Sequence, residues 1–245
     1  MKLKIVGSNS QGNSYILENE TEALLIECGM RFFDIKKAID FNISKISGCL
    51  LTHEHKDHCV SINDVMKGGV DVYASKGTFE AIGCNGHRAN VIESKKPFLV
   101  GDFRIMPFDV KHDAAEPLGF LINHKETGNV LFLTDSYYSP YTFDNLNNLI
   151  IEANFSEKII DRKMEAGSIQ TFLRNRILKS HMSLETNKEF LKANDLSKVN
   201  NIVLIHLSDS NSDEELFVKE IRELTCKTVY AAKKGMVLNF NKNPF

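Results

Sequence analysis

The sequence predicts an α/β fold, and two observations lead to this class. The 245 residues are 42% hydrophobic, enough to bury the core of one large domain over residues 1–245. Short apolar runs typical of buried strands alternate with helical patterns, and four of these runs end at a side chain that can bind metal. Because sites in α/β sheets are assembled at strand ends, this pattern predicts a functional site as well as a fold.

The N-terminal third is predicted to contain short strands and two helices. Residues 7–14 form a polar turn, because glycine permits positive φ and Ser and Asn side chains bond to nearby backbone. The strands on either side of the next turn form a hairpin. The predicted elements are strands at 3–6, 15–17, 23–26, 49–51 and 71–74, and helices at 33–41 and 78–82.

From residue 97 onward antiparallel strands are predicted first, with strands and helices alternating after them. Ser183 is the expected N-cap of one helix, and Ser212 with Glu215 forms a capping box at the start of another. The antiparallel strands are 98–100, 103–110, 118–123 and 129–133. The elements after them are strands at 149–152, 202–205, 228–231 and 236–240, and helices at 157–179, 183–193 and 212–224.

Four candidate metal ligands, His53, His55, Asp57 and His58, lie within six residues. They follow the apolar run 49–51, as expected where a buried strand enters a ligand-bearing loop. In extended chain the side-chain direction repeats every two residues, so His53 and His55 should point to the same side. Asp57 and His58 are adjacent and diverge, so they could serve a second ion.

Three further candidates, His112, Asp135 and His206, also follow apolar strands. We assign His53, His55 and His112 to one ion, Asp57, His58 and His206 to a second, and Asp135 to a bridge between them. Imidazole and oxygen ligands suit zinc, manganese or iron. Three other side chains are expected to play no part: His87 and His124 lie in loops and should be on the surface, and Cys59 should be a small buried residue.

The charge and cysteine content restrict the class of protein. A net charge of -2 argues against a generic nucleic-acid coat protein or a membrane-surface binder, so an anionic substrate must be captured locally. Five cysteines without a C-x-x-C pair predict reduced thiols. The N-terminus lacks the long apolar core of a signal peptide, and no stretch is long enough to span a membrane. We expect a cytoplasmic protein without a membrane partner.

The motif His53-x-His55-x-Asp57-His58, followed by His112, Asp135 and His206, resembles the metallo-β-lactamase superfamily over essentially the whole chain. The resemblance implies a four-layer αββα sandwich with a dinuclear site at one edge, between the two sheets. Segments 7–13, 112–119 and 152–154 are similar to the YycJ/WalJ type of small cytosolic exonuclease. Two positions depart from this pattern: Glu27 stands where the fold usually has Asp, and Phe155 where a His is expected.

The resemblance implies a metal-dependent phosphodiester hydrolase, here a DNA exonuclease with a dinuclear site and a bridging hydroxide. Two divalent ions would leave the site positive, which favours a phosphodiester over a neutral lactam. Asp57 is expected to serve both the metal and catalysis. His181 matches the general acid of RNase Z-like enzymes. Arg174, Arg176 and Asn154 are expected to contact the nucleic acid or nucleotide substrate.

Two alternatives remain open. A phosphodiesterase for small or cyclic nucleotides would use the same chemistry, and the near-neutral charge is compatible with it. Asp135 follows His112 by only 23 positions, which leaves no room for the projecting arm of RNase Z. The other alternative is a non-hydrolytic iron redox or binding protein. His181 argues against it, because redox chemistry needs no acid for a leaving group.

Overall fold

The computed structural model describes residues 1–243, and the strands within that range form two seven-stranded sheets. The first sheet contains β1 (Lys2–Asn9), β2 (Gly12–Glu18), β3 (Ala23–Ile26), β4 (Ile46–Leu50), β5 (Val72–Ala74), β6 (Ala89–Val91) and β14 (Val237–Asn239). The second contains β7 (Phe98–Val100), β8 (Phe103–Asp109), β9 (Leu118–His124), β10 (Gly128–Leu133), β11 (Leu146–Glu152), β12 (Asn201–Ile205) and β13 (Thr228–Ala231).

The helices follow individual strands along the chain. They are α1 (Phe32–Ala38), α2 (Lys56–Cys59), α3 (Ile62–Lys67), α4 (Lys76–Ile82), α5 (Glu157–Glu165), α6 (Thr171–Ser180), α7 (Leu184–Ala193) and α8 (Glu214–Thr225), with a 3₁₀ helix at Ile43–Lys45. None of the helices in residues 1–243 has the length and apolar character needed to cross a membrane.

Both sheets combine antiparallel and parallel pairs. The first has the order β14-β1-β2-β3-β4-β5-β6, and its strands are parallel from β3 to β6. The second has the order β13-β12-β11-β10-β9-β8-β7. It is antiparallel from β7 to β10 and parallel from β10 to β13. Parallel strands bring their carboxyl ends to one edge, so the loops after β10, β11 and β12 emerge side by side.

Alternating side chains produce four layers. On β3, Leu24 and Ile26 enter the core between the sheets, whereas Leu25 packs outward against α1 and α3. On β10, Phe132 enters the same central core, while Leu131 packs in the outer cluster that includes residues of α7 and α8. Burial on both faces requires a helix layer outside each sheet. The predicted αββα sandwich is therefore confirmed.

Several element boundaries differ from the predictions. The turn predicted at 7–14 is shorter, because β1 continues to Asn9 and β2 begins at Gly12. The helix predicted at 157–179 is two helices, separated after Ala166, with Gly167 at φ 66°. Strand β11 begins at Leu146, three residues before the predicted start of that strand.

The two predicted helix caps had different outcomes. Ser183 caps α7 as predicted, since its hydroxyl accepts from the Thr186 N–H. The capping box at Ser212 was wrong: Asp213 caps α8 and accepts from the Leu216 N–H. Ser212 instead donates its hydroxyl to the backbone oxygen of Ser208, so its side chain is not available to the helix.

Candidate metal centre

The seven predicted ligands converge where strands of both sheets end. His53 follows β4, His112 follows β8, Asp135 follows β10 and His206 follows β12. Asp135 and His206 have positive φ values of 41° and 54°, an unusual conformation for residues with a side chain. Such strain concentrates at functional sites, and here it occurs where the chain leaves the sheet and places a candidate ligand.

The first predicted group is assembled around Asp135. Candidate ligand atoms of His53, His55, His112 and Asp135 all lie within 4.8 Å of one another. His112 Nε2 is 3.1 Å from His55 Nδ1, and Asp135 Oδ2 is 3.7 Å from His53 Nε2 and 3.6 Å from His112 Nε2. His53 and His55 do face the same region, with ring centroids 4.6 Å apart.

The second predicted group, Asp57, His58 and His206, also lies within 4.8 Å. Asp57 Oδ2 is 3.2 Å from His206 Nε2 and 3.4 Å from His58 Nε2. Asp57 and His58 lie on the short helix α2 and not in an extended loop, and the His58 ring packs against the His53 ring with centroids 4.2 Å apart. Asp135 Oδ2 is 3.4 Å from His58 Nε2, so this carboxylate adjoins both groups.

The hydrogen bonds of the imidazoles fit metal binding. His112 Nδ1 donates to the backbone oxygen of Ser180 at 2.7 Å, which leaves the lone pair on Nε2. His53 Nδ1 bonds to the Thr52 hydroxyl at 2.8 Å, and its buried Nε2 has no hydrogen-bond partner. A buried polar nitrogen without a partner is costly, and a cation among these rings would satisfy it. The donor set therefore fits a divalent metal.

At His53 and Asp135 the electrostatics favour the protonation states that bind metal. At His58 and His206 burial would lower the pKa, but the nearby carboxylates, Asp135 first, outweigh it and raise the pKa, so these rings would release a proton on binding a metal. Burial lowers the pKa of His53 well below its usual value, so its ring is neutral. Burial alone would raise the pKa of Asp135, but the imidazoles of His206 and His58 outweigh it and hold that pKa well below the usual range. Neutral imidazole and ionised carboxylate are the ligand forms required by divalent ions.

His181 lies at the same cleft and is supported by Glu152. Its Nδ1 donates to Glu152 Oε1 at 2.7 Å, and Nδ1 is 3.9 Å from Asp135 Oδ2. Burial would lower the pKa of His181, but the Glu152 carboxylate outweighs burial and raises it to about 9. The side chain is 22% exposed, so it can reach a molecule in the cleft.

Sequence reasoning missed the role of Glu152. This residue ends the apolar strand β11 and is fully buried. Its Oε2 accepts the backbone N–H groups of Ser136 and Met182, so the carboxylate is held in place beneath His181. The pattern of a polar side chain at the end of an apolar strand, which identified Asp135, occurs at Glu152 too and would have found it.

The three predicted substrate contacts are placed differently from one another. Arg176 lines the cleft, together with Leu173 and Ile177 of α6. Arg174 donates to Asp161 Oδ1 at 2.9 Å and does not line the cleft. Asn154 is buried, and its Nδ2 donates to the backbone oxygen of His206 at 2.7 Å and lies 2.9 Å from His206 Nδ1. The prediction for Asn154 was wrong in placement, because its amide supports a candidate ligand.

Predictions for residues outside the cluster had mixed outcomes. His87 is exposed as predicted, and buried Cys59 donates its thiol to the backbone oxygen of Glu54. His124 was wrongly predicted to be on the surface: it is 2% exposed and its ring packs on Phe103. Its position at the end of β9, under the turn to β10, explains the burial. Glu27 is buried with Oε1 3.6 Å from His58 Nδ1.

A cluster of histidine and aspartate side chains at the edge of an αββα sandwich, with His181 beside it, defines a metal-dependent hydrolase. The chain belongs to the metallo-β-lactamase superfamily: the family model described as a Beta-lactamase superfamily domain matches residues 23–207. It is 30% identical over 232 residues to exodeoxyribonuclease WalJ of Streptococcus pneumoniae, a match covering 88% of this chain and 84% of the relative.

Two further proteins are similar along nearly the whole chain. Exodeoxyribonuclease YycJ of Bacillus anthracis is 27% identical over 233 residues, covering 88% of this chain and 86% of its own. The crystal structure of the metallo-β-lactamase fold protein YhfI from Bacillus subtilis has a TM-score of 0.72 at 17% identity, covering 97% of this chain and 99% of that protein. The structural likeness concerns the fold alone.

Proposed function

We propose that this protein is a DNA exonuclease that hydrolyses phosphodiester bonds with two divalent ions, zinc or manganese, with iron as a third candidate. The observation that carries the proposal is the arrangement of two ligand groups around Asp135 with His181 at the same cleft. The similarity to proteins named exodeoxyribonucleases supports DNA as the substrate.

The proposed ligands divide into two sets that share one carboxylate. His53, His55 and His112 would hold one ion and Asp57, His58 and His206 the other, and Asp135 adjoins both groups. When bound, paired divalent ions supply a hydroxide nucleophile and neutralise charge on the phosphoryl oxygens. The carboxylates of Asp57 and Asp135 offset only part of that positive charge, so the cleft attracts an anionic phosphodiester.

The proposed acid is His181, which would protonate the departing oxygen of the sugar. Its Nδ1 is occupied by Glu152, so the proton available to the substrate is on Nε2. Glu152 favours the protonated ring because it places a buried negative charge next to it. Glu152 is therefore proposed as a positioning residue that keeps the acid charged and correctly oriented.

Helix α6 gives the cleft a wall suited to a nucleotide. Leu173 and Ile177 are one helical turn apart and line the cleft, and exposed Arg176 lies between them in sequence. The cavity has a volume of about 420 Å³, at the small end of the range for ligand pockets. This room suits the terminal nucleotide of a strand, with its base against the apolar wall and its phosphate near the metal ligands.

The same volume favours a second candidate, a phosphodiesterase for small or cyclic nucleotides. We prefer DNA because both exonuclease relatives match more than four fifths of their own length. The two candidates predict different substrates for one shared site. The redox alternative is not proposed, because the chain is a hydrolase.

A parallel assay tests the proposal. Protein loaded with Mn²⁺ or Zn²⁺ is given end-labelled duplex DNA, single-stranded DNA, RNA and cyclic nucleotides. We expect stepwise release of mononucleotides from DNA ends. Hydrolysis of cyclic nucleotides alone would support the second candidate, and no hydrolysis of any phosphodiester would contradict both. Elemental analysis should give two ions per chain, and saturation at one ion would refute the dinuclear assignment.

Arg176 and Arg174 form a matched pair for substrate binding. Both lie on α6, but only Arg176 lines the cleft, whereas Arg174 is paired with Asp161. Arg176→Ala should raise KM for DNA by roughly 3- to 10-fold through loss of a phosphate contact. Arg174→Ala should leave KM unchanged. Equal effects in the two variants would show that α6 contributes only general charge.

We also propose that the chain acts as one domain in the cytoplasm. Strand β14 returns from the C-terminal region to pair with β1, which ties the two ends of the chain together. Residues 244 and 245 of the predicted domain lie outside the described residues. The cysteines are free, as expected in a reducing compartment. Fractionation of cells that produce the protein tests the location.

A further inference from the structure

A buried hydroxyl lies between two loops that carry candidate ligands. Tyr15 on β2 is fully buried, with its ring edge-on to Phe132 at 5.5 Å between centroids. Its hydroxyl oxygen is 2.8 Å from Ser8 Oγ and 3.3 Å from Asn13 Oδ1. Burial also raises the pKa of Tyr15 well above its usual value, so the hydroxyl keeps its proton.

The direction of each hydrogen bond follows from the chemistry of its partners. The His206 N–H can only donate, and it donates to Ser8 Oγ at 3.1 Å. Asn13 Oδ1 can only accept, so Tyr15 donates to it. Ser8 must then donate to Tyr15, because Tyr15 has no second proton. The result is a one-way chain from His206 through Ser8 and Tyr15 to Asn13.

The chain ends at the other ligands of the second group. With Oδ1 occupied by Tyr15, Asn13 turns its Nδ2 toward α2. Nδ2 is 3.3 Å from Asp57 Oδ2 and 3.4 Å from the Asp57 backbone oxygen, and both can accept from it. It is also 3.2 Å from His58 Nε2. Two oxygen acceptors on Asp57 confirm that the amide nitrogen, and not its oxygen, belongs on this side.

Close backbone packing holds Asn13, the last member of this hydrogen-bond chain, in place. Gly29 N donates to the Asn13 backbone oxygen at 2.9 Å. A Cβ at Gly29 would lie 1.7 Å from the Asp57 backbone oxygen and 2.9 Å from Asn13 N. Only glycine permits this approach, so the hairpin that carries Asn13 is pressed against α2. Asn13 itself is 1% exposed, and water therefore competes little for its amide.

We propose that Asn13 is a positioning residue for the Asp57–His58–His206 group, and that Ser8 and Tyr15 orient it. Asn13 donates to Asp57 Oδ2, the oxygen that lies beside His206 Nε2 and His58 Nε2, and so fixes its place among the ligand atoms of this group. The link through Tyr15 fixes the position of His206 relative to Asp57, although one follows a strand of the second sheet and the other follows a strand of the first. The inference rests on the dinuclear arrangement proposed above, and it assigns a role to the polar N-terminal hairpin.

The hairpin acts on one ligand group and not on the other. Across residues 1–243, no described side-chain hydrogen bond links Ser8, Asn13 or Tyr15 to His53, His55 or His112. Thr52 supports the His53 ring and Ser180 the His112 ring instead. Loss of the hydrogen-bond chain from His206 to Asn13 should therefore weaken one metal site selectively. A residue that merely stabilised the fold would affect both sites.

Metal titration tests this selectivity. Apo protein is titrated with Zn²⁺ by calorimetry in competition with a chelator, which gives two dissociation constants. Asn13→Ala should weaken one site by about 10- to 100-fold, the usual range for loss of a partner of a ligand, and leave the other unchanged. Tyr15→Phe retains the ring and should weaken the same site by a smaller factor. In each variant kcat should fall while KM stays constant.

Ser14→Ala is the matched control. Ser14 neighbours Asn13 on β2 and is buried, but its hydroxyl has no hydrogen-bond partner, so both dissociation constants should match the wild type. Equal weakening of both sites, or of neither, in Tyr15→Phe would overturn the inference, as would a wild type that binds one ion. A wild type that binds two ions but cleaves no phosphodiester would contradict the proposed function alone.

Discussion

Histidine and carboxylate side chains cluster at both ends of the sheets, but Asp102 in the second cluster is mostly exposed. At one end, five imidazoles each place a ring nitrogen 3.4 to 3.9 Å from an oxygen of Asp135, and His55 lies next to them. At the other end, below the turns that begin β3 and β10, His124 lies with Glu22 and Asp102, and their candidate ligand atoms are also within 4.8 Å of one another. Proximity of ligand atoms therefore does not distinguish the two ends.

The difference lies in the number of imidazoles and in how far the carboxylate of the second cluster is already paired. Glu22 Oε2 accepts from Ser47 Oγ at 3.1 Å and from Asp102 N at 3.0 Å. His124 Nδ1 accepts from the Glu126 N–H, so the ring proton is on Nε2, which faces Glu22 Oε1 at 3.3 Å. The buried Nε2 atoms of His53 and His124 both lack a hydrogen-bond partner. The His53 ring packs against three other imidazoles, whereas His124 Nε2 faces a carboxylate.

This comparison shows what makes a buried cluster a metal site. A metal site needs several imidazole and carboxylate ligands that converge, and the cluster around Asp135 supplies them, whereas the cluster at His124 has a single imidazole. Where backbone and side-chain donors already occupy the lone pairs, the same residue types stabilise a turn. Substitutions at each end should therefore have separable effects on metal content and on stability.

The largest effect is expected at Asp135, which adjoins both ligand groups. Asp135→Ala should abolish hydrolysis and lower the metal content of both proposed sites together, because its carboxylate lies beside both ligand groups. Circular dichroism should show an intact fold, since the strands of the core do not depend on this side chain. Elemental analysis and turnover are measured on the same preparation. Full activity would remove Asp135 from the site.

The next largest effect is expected at His181. His181→Ala should retain both metals and lose about 10²- to 10⁴-fold in kcat on DNA, the range for a positioned general acid. Bis(p-nitrophenyl) phosphate should be affected much less, because its leaving group needs little protonation. An equal loss on both substrates would indicate a positioning role, and lost metal would indicate a structural one.

Substitutions at two buried histidines, His53 and His124, compare the two ends of the sheets directly. His53→Gln should lose metal and activity. His124→Gln should keep both, but lower Tm by about 2–6 °C, as expected for roughly 1 to 1.5 kcal/mol lost from a buried hydrogen-bonding group in a chain of this size. Thermal unfolding and metal content are measured for both variants. A drop in metal content in His124→Gln would show that the second cluster also binds an ion.

The smallest effect is expected for the two ion pairs of Glu18, the last residue of β2. Glu18 contacts Lys4 and Lys45, and its carboxylate is 2.7 Å from Lys45 Nζ. Burial would raise the pKa of Glu18, but the two lysines outweigh it and lower that pKa below 4.5. Because the pKa of Glu18 is lower in the folded than in the unfolded protein, the ionised carboxylate stabilises the fold at pH values above the unfolded pKa. This stabilisation is lost as the pH falls through the folded pKa.

Glu18→Gln should therefore lower Tm by about 1–3 °C at pH 7, and the difference should shrink as the pH falls below about 4.5. Thermal unfolding of both proteins from pH 7 to 3.5 measures this. Glu93→Gln is the control, because Glu93 and Lys96 are both more than 60% exposed and such pairs contribute little. A difference that persists unchanged to pH 3.5 would assign the effect to packing.

The sequence by itself determined the α/β class, most strands, and the candidate ligands. Each of these depends on local information: apolar runs define strands, and a ligand-type side chain directly after a run marks a strand end. His112, Asp135 and His206 were found in this way although they are far apart in the chain. The same criterion was not applied to Glu152, which is why its place beneath His181 was missed.

Only the tertiary structure decided which polar side chains have partners and which do not. Asn154 could face a substrate or a ligand, and its burial beside His206 settles its position. His124 was predicted to be exposed because it lies at a hairpin turn, yet Phe103 and Glu22 pack against it. Hydrogen-bond partners come from strands distant in sequence, and burial sets the cost of leaving a lone pair unsatisfied. Both quantities exist only after the two sheets have packed together.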